Sequence, residues 1–328
     1  MSHVVVVTGA SAGVGRAAVR AFARRGADVA LIARGLDGLE AGAREVEAEG
    51  GRALVLPLDV ADAQDVERAA EVVERTLGPI DVWVNDAMVS VFAPFMDITA
   101  EEFRRVTEVT YLGYVHGTRA ALKRMLPRDR GTIVQVGSAL AYRSIPLQSA
   151  YCAAKHAIHG LCESIRTELR HAHSHVHLTE VQLPAVNTPQ FTWSRAKLPR
   201  RPQPVPPVFQ PEVVADAIVY AAEHRRREIW LAWPAIEAIV SDKIAPRLGD
   251  RYLAATAFES QQTSEPVRPD RRDSLYAPLP GDHGAHGEFD ARAKRFSFAW
   301  WLSKHRTPLA LTGLALLIGA VGLHHARH

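Results

Sequence analysis

Two rhythms of apolar residues alternate along this chain. Short, β-branched runs read as strands buried on both faces: HVVVVTG (3 to 9), ADVALIAR (27 to 34), RALVLPLDV (52 to 60), DVWVNDA (81 to 87), GTIVQVGS (131 to 138), HVHLTEVQLP (175 to 184) and EIWLAW (228 to 233). Between them lie stretches with apolar positions every three or four residues and glycine or basic ends, the pattern of amphipathic helices. These are RAAVRAFARRG (16 to 26), LDGLEAGAREVEAEG (36 to 50), QDVERAAEVVERTLG (64 to 78), a long EEFRRVTEVTYLGYVHGTRAALKRML (101 to 126), SAYCAAKHAIHGLCESIRTELRHA (149 to 172) and PEVVADAIVYAAEHRRR (211 to 227). Strict alternation of strand and helix predicts an α/β fold, a doubly wound parallel sheet of about seven strands with helices on both faces. Such a sheet binds ligands at the carboxyl edge of its strands.

Two segments break the rhythm. RRPQPVPPVFQP (200 to 211) is too rich in proline for a regular helix or a central strand, and reads as a surface excursion able to cover a site. From Pro234 to about Gln262, IEAIVSDKI and DRYLAATAFES suggest further helices outside the alternating unit, and residues 263 to 294, dense in Pro, Asp, Arg, Gly and His, read as a flexible linker. The expected organisation is therefore a catalytic domain over 1–233, a helical extension and linker over 234–295, and a hydrophobic tail over 296–328.

That tail holds an uncharged stretch from Thr307 to Leu323, close to the ~20 apolar residues a spanning helix needs. Trp300 and Trp301 suit a lipid interface, and Arg292, Lys294, Arg295, Lys304 and Arg306 on the domain side would hold the globular part in the cytoplasm. A membrane-contacting C-terminal helix is the expectation, with a buried or partner-docking helix as the alternative.

Composition narrows the rest. With 328 residues and a formal charge of +3, the chain has room for one large α/β domain plus an appendage, and lacks a long basic arm for nucleic acid. Cys152 and Cys162 fall on one predicted helix, too far apart along its axis to bridge, which suggests a reducing compartment. The start, MSHVVVVTG, has no secretion-signal pattern. His173, His175 and His177 would align on one strand face, but no Asp or Cys cluster accompanies them and no metal is expected.

Candidate chemistry lies at two places. TGASAGVG follows the first strand and opens the first helix, so Thr8, Gly9, Ser11, Ala12, Gly13, Val14 and Gly15 let the backbone turn sharply and approach a pyrophosphate at a helix N-terminus. Farther on, Tyr151 and Lys155 stand one helical turn apart in YCAAK, where an ammonium could lower the pKa of a phenol from its ordinary value near ~10.

The order TGxxxGxG, VNDA, Ser138 and Tyr151-x-x-x-Lys155 resembles the short-chain dehydrogenase/reductase family, classical type, over residues 3 to about 233. The resemblance implies a Rossmann-type fold, a nicotinamide cofactor and reversible interconversion of an alcohol with a ketone or aldehyde. It implies roles as well. Tyr151 would be the general acid in reduction, Lys155 would acidify it and hold the nicotinamide ribose, and Ser138 would donate to the developing alkoxide. Asp59 and Val60 would contact adenine, Asn85 would support the loop beside the cofactor, and Pro184, Val186 and Thr188 would border the nicotinamide. The second strand ends in Ala33-Arg34 with no carboxylate, and Arg16 offers a second positive charge, so NADP(H) is expected, with an NAD-dependent alcohol dehydrogenase as the alternative. The family's NNAG is here Asn85-Asp86-Ala87-Met88, its helix asparagine is Thr110, and its Pro-Gly is Pro184-Ala185. These departures leave room for a non-catalytic nucleotide-binding scaffold. Leu140, Tyr142, Leu147, Gln148, Val186, Phe191 and Trp193 are the candidate substrate pocket, suited to a bulky apolar carbonyl compound. A homo-oligomer is expected from the family's habit.

Overall fold

The computed structural model describes residues 3–232 and 244–306. Its centre is a seven-stranded sheet, every neighbouring pair of which is parallel. In chain order the strands are β1 (Val4–Thr8), β2 (Asp28–Ala33), β3 (Ala53–Pro57), β4 (Ile80–Asn85), β5 (Thr132–Val136), β6 (His177–Gln182) and β7 (Glu228–Trp230). They lie side by side as β7-β6-β5-β4-β1-β2-β3. The connecting helices are α1 (Gly13–Ala23), α2 (Leu36–Ala48), α3 (Ala63–Thr76), α4 (Ala100–Thr107), α5 (Gly113–Met125), α6 (Ser149–His171) and α7 (Pro211–Glu223). The strand order reverses between β1 and β4, and a crevice opens there at the carboxyl edge.

Although β1 is wholly apolar until Thr8, its side chains still alternate between two cores. Val5 and Val7 pack with Val19, Phe22, Val214 and Ile218 on one face, while Val4 and Val6 pack with Val66, Val73, Val106 and Ile158 on the other. Burial of both faces is what a run of valines without polar alternation encodes. Two helix starts are also locally specified. Asp62 accepts from the N–H groups of Gln64 and Asp65 ahead of α3, and Thr99 with Glu102 forms a reciprocal capping box on α4. The single helix expected over 101 to 126 is instead α4 and α5 joined by a π-helical turn, Glu108–Leu112.

Beyond β7 the chain departs most from expectation. Helix α8 (Pro246–Ser260) leads into a strand, Gln262–Pro266, that pairs antiparallel with Arg200–Pro202 of the proline-rich excursion. Residues 267–294, whose composition suggested a linker, return along the domain and bond to it at many points. Trp300 does not sit at a free surface: it is 5% exposed, stacks edge-on against Tyr220 and donates to the Asp216 carboxylate at 2.7 Å. Lys304 pairs with the same carboxylate. The Thr307–Leu323 stretch lies outside the described residues, and among the described residues no helix is long and apolar enough to cross a membrane.

Beneath the crevice, Asn85 accepts from the Trp83 indole at 2.8 Å and donates to Gln135 (2.9 Å) and Thr118 (3.2 Å), all of them buried. Gly117 faces this network, and a Cβ there would lie 2.2 Å from Asn85 Oδ1 and 2.6 Å from Trp83 Nε1. Neither neighbour can yield without losing a buried hydrogen bond. Gly117→Ala is therefore expected to destabilise the protein by about 1–3 kcal/mol, read as a lowered midpoint in chemical denaturation with an unchanged slope.

Candidate active site

At the β1 end, the Thr8 hydroxyl accepts from the N–H groups of Asp86 (3.0 Å) and Ala87 (3.2 Å), which ties the ends of β1 and β4 together. The turn that follows admits only glycine in two places. Gly9 has φ +72°, and a Cβ on it would lie 2.9 Å from the Ala87 nitrogen; one on Gly15 would lie 2.3 Å from the Gly9 carbonyl oxygen. A cavity of about 690 Å³ opens over this turn, lined by Gly9, Ser11, Ala12, Gly13 and Val14. Thr8, Gly15 and Asn85 stand behind the lining and hold it in place. Asn85, expected to support the loop beside the cofactor, spends its amide on Trp83, Gln135 and Thr118.

The cavity runs outward past Arg34, Asp59 and Val60 and inward to Ser138, Tyr151 and Lys155. Arg34 reaches it, but its guanidinium donates to the backbone carbonyls of Ser274 (2.5 Å) and Leu275 (3.2 Å). Burial lowers the Arg34 pKa. Asp59 accepts from the Ala61 N–H and pairs with Arg105. Arg16, expected as a second positive charge in the cleft, is only 1% exposed and turns away from it. It donates to Glu45 (2.7 Å), to the Gly38 carbonyl (2.7 Å) and to Asp282 (3.2 Å), fastening the glycine turn to α2.

At the inner end, β5 delivers Ser138 and the following loop turns back into α6. The Ser138 N–H donates to Gln182 Oε1 at 2.9 Å, and its hydroxyl accepts from the Leu140 N–H at 3.1 Å. Lys155, one turn on, is buried; its ammonium donates to Tyr114 Oη (3.0 Å) and the Val136 carbonyl (2.7 Å) and lies 5.6 Å from the centre of the Tyr151 ring. Thr110, in the family's asparagine position, is engaged with the Val89 backbone through both its donor and its acceptor.

Lys155 is expected to acidify Tyr151; burial acts on the phenol in the opposite sense. Burial raises the Tyr151 pKa well above 10, only partly offset by the Ser138 side chain, and nearby Asp86 adds to the rise. Burial likewise lowers Lys155 and raises Asp86, each drawn back by the opposite charge of the other, and the Gly15 backbone also draws Asp86 down. The lysine's charge is thus shared with a carboxylate that stands where the family motif has asparagine.

Of the proposed substrate residues, Leu140, Gln148, Val186, Phe191 and Trp193 line the cavity, as do Pro184 and Thr188. Tyr142 does not. Its hydroxyl donates to Glu228 (2.7 Å) and meets His159 (3.1 Å), in a network where Glu180 also binds Arg166 and Gln182. Leu147 is also turned inward, packing with Phe92, Phe191 and Leu198. Sequence reasoning missed Tyr252, Leu253 and Thr256 of α8, which close the substrate side, and Ser274 to His283, which border the nucleotide side. Only the proline-rich stretch, whose residues 203–207 reach the cavity, carried a local signal. In the histidine cluster, His175 bonds Asp129 (2.6 Å) and His177 bonds the Arg226 backbone (2.9 Å).

Residues 3–198 match the family model described as short chain dehydrogenase. The chain belongs to the short-chain dehydrogenase family. An uncharacterized oxidoreductase of Bacillus subtilis, YxnA, is 36% identical over 283 residues, which is 86% of this chain and 80% of that one. Human dehydrogenase/reductase SDR family member 7 is 38% identical over 170 residues, 51% of this chain and 50% of its own, so the likeness spans about half the human protein. Among solved structures, an alcohol dehydrogenase from the archaeon Thermococcus sibiricus complexed with 5-hydroxy-NADP is 30% identical with a TM-score of 0.62, over 70% of this chain and 96% of that one. An actinorhodin polyketide ketoreductase with NADPH is 26% identical with a TM-score of 0.63, over 70% of this chain and 95% of that one. As a short-chain dehydrogenase, the protein is an oxidoreductase that uses a nicotinamide cofactor on a small molecule. The cavity fits such a cofactor: glycines permit close backbone approach at one end, and hydroxyl and ammonium groups converge at the other.

Glu45 beneath the glycine turn supplies a test of how that turn is held. Desolvation opposes its charge, but hydrogen bonds from Arg20 and Arg16 prevail and bring its pKa to about 2, below the usual 4.5. A depressed carboxylate stabilises the fold above its unfolded pKa and loses that contribution as pH falls toward the folded value. The stability gap between wild type and Glu45→Gln, followed by thermal unfolding, is expected to be full above about pH 5 and to close progressively toward about pH 2.

Proposed function

We propose that this short-chain dehydrogenase reduces a bulky, apolar ketone or aldehyde to the alcohol with NADP(H), Tyr151 acting as the general acid. The observation that carries this reading is the convergence of Ser138, Tyr151 and Lys155 on one wall of the cavity whose other end is the glycine turn. When bound, the reduced nicotinamide supplies a hydride to the carbonyl carbon. The chain's own groups handle the oxygen. Tyr151 Oη gives its proton to the forming alkoxide, the Ser138 hydroxyl holds that oxygen in line with the phenol, and Lys155 places positive charge beside both. A phenol kept protonated by burial is the form a reduction requires. The walls around this point, Leu140, Ile145, Val186, Phe191, Trp193 and Leu253, favour an apolar substrate.

Arg34 supports the phosphorylated cofactor, since it is a cation bordering the cavity beyond the end of β2. The hydrophobic C-terminal stretch, Thr307–Leu323, is proposed to contact lipid; in flotation with anionic vesicles the whole chain should rise and a chain ending at Arg306 should not.

Tyr151→Phe is expected to keep NADPH affinity within a few-fold and to lower the turnover of aromatic and fatty ketones by about 100- to 10,000-fold. Comparable turnover in the variant would remove the phenol from the reaction. Arg34→Ala should weaken NADPH by about 10- to 100-fold while leaving NADH nearly unchanged, as loss of one charge-assisted bond to a 2′-phosphate predicts; equal losses for both cofactors would reject the NADP(H) assignment.

A further inference from the structure

The segment from Ser274 to Gly287 crosses the nucleotide end of the cavity with its outer face in water. Its two buried side chains, Leu275 and Ala285, plug into the domain on either side, and between them Pro278, Leu279, Gly281 and His283 line the cavity opposite Arg34, Gly35 and Gly38. Most of the bonds that fasten it go to the nucleotide-binding half, although the Ser274 N–H also donates to the Trp193 carbonyl at 3.0 Å and His286 bonds the Glu212 carboxylate at 2.8 Å. Arg34 donates to the carbonyls of Ser274 and Leu275, and Arg105, itself paired with Asp59, donates to Leu275 at 3.1 Å. The Gly281 N–H donates to the Asp37 carboxylate at 2.5 Å, and Asp282 pairs with Arg16 at 3.2 Å. The Gly13 N–H, the first of helix α1, donates to the Gly284 carbonyl at 3.0 Å. Gly287 rests so close to the Asn187–Thr188 backbone that a Cβ would lie 2.4 Å from the Thr188 carbonyl oxygen.

Two of these contacts, at Gly13 and at Arg34, fall on groups that a dinucleotide's phosphates use: the amino end of the first helix and the cation beyond β2. Carbonyl oxygens there act as weak stand-ins for phosphate oxygens. Gly281 (φ +95°) and Gly284 (φ +62°) sit in the left-handed region that glycine adopts freely, which makes them the points where the crossing's backbone has most conformational freedom.

We infer that residues 274–287 form a strap over the cofactor site, and that a nicotinamide dinucleotide enters and leaves only when this strap lifts from Arg34 and the glycine turn. The inference rests on the proposed reading of the cleft as a dinucleotide site. It makes cofactor exchange, rather than chemistry, the step the C-terminal segment controls.

A reversible cross-link tests it. An ideal Cβ on Gly35 lies 3.4 Å from the Cβ of Pro278, near the spacing of about 3.8 Å that a disulfide prefers, and Gly35 has φ −86°, which any residue accepts. The native Cys152 and Cys162 are buried. In Gly35→Cys/Pro278→Cys, NADPH association and dissociation are followed by stopped-flow fluorescence in the oxidised and the reduced protein. Oxidation is expected to slow both rates by about tenfold or more, and reduction to restore them. Equal rates in the two states overturn the strap. Absence of NADPH and NADH binding to the wild-type protein would instead overturn the nucleotide reading beneath it, and the strap with it.

A second variant needs no cross-link. Asp37→Ala/Asp282→Ala removes two fastenings and two negative charges. Loss of the fastenings speeds NADPH dissociation by about three- to tenfold, whereas loss of negative charge alone would slow it, because a phosphate is then repelled less. Faster release supports the strap; unchanged or slower release counts against it.

Discussion

The approach of two backbones at the β1–β4 switch point governs this molecule. Gly9 and Gly15 bring the first turn within van der Waals reach of Ala87 and Asp86, and Thr8 fixes the distance with two hydrogen bonds. A side chain at either glycine would wedge the strands' ends apart. Because the sheet is parallel throughout, that closeness sets where helix α1 begins and where the residues after β4 lie, and hence the floor of the cavity. The Gly117–Asn85 network below keeps β4 in register with β5, which in turn carries Ser138. Geometry at the reacting end is therefore inherited from packing at the nucleotide end.

Electrostatics at the inner end follow from one replacement. A carboxylate, Asp86, shares a buried environment with Lys155, and each shifts toward its neutral form because burial penalises both charges. Burial raises the Tyr151 pKa as well. Under the proposed reaction this favours the reducing direction, since the tyrosine keeps the proton it must donate. Lys155 is also anchored by Tyr114 and Val136, so its position does not depend on Tyr151.

What the sequence made legible was local. Valine runs, glycine spacing and the one-turn separation of Tyr151 and Lys155 each act over a few residues, and each stands where the alternation predicted. Orientation was less legible. Tyr142 and Gln148 flank the same loop, yet only Gln148 faces the cavity, because Glu228 and His159 offer the Tyr142 hydroxyl hydrogen-bond partners that no local pattern records. Arg16 and Arg34 looked equivalent, but Glu45, from a different helix, claims one of them. Residues 263–294 have no periodicity to read, since what orders them is a set of bonds to charged side chains more than two hundred positions earlier.

The C-terminal extension touches both ends of one cavity, and this has a mechanical consequence. Helix α8 places Tyr252, Leu253 and Thr256 on the substrate side, and the chain then runs through the strand paired with Arg200–Pro202 to cross the nucleotide side. Arg271 sits between the two, donating to the carbonyls of Phe191 and Ser194 next to the substrate wall. A displacement of either part must pass through this short connection or break it. Helix α8 and the segment proposed as a strap are thus parts of one continuous, bonded stretch of chain, joined to the domain between them by Arg271.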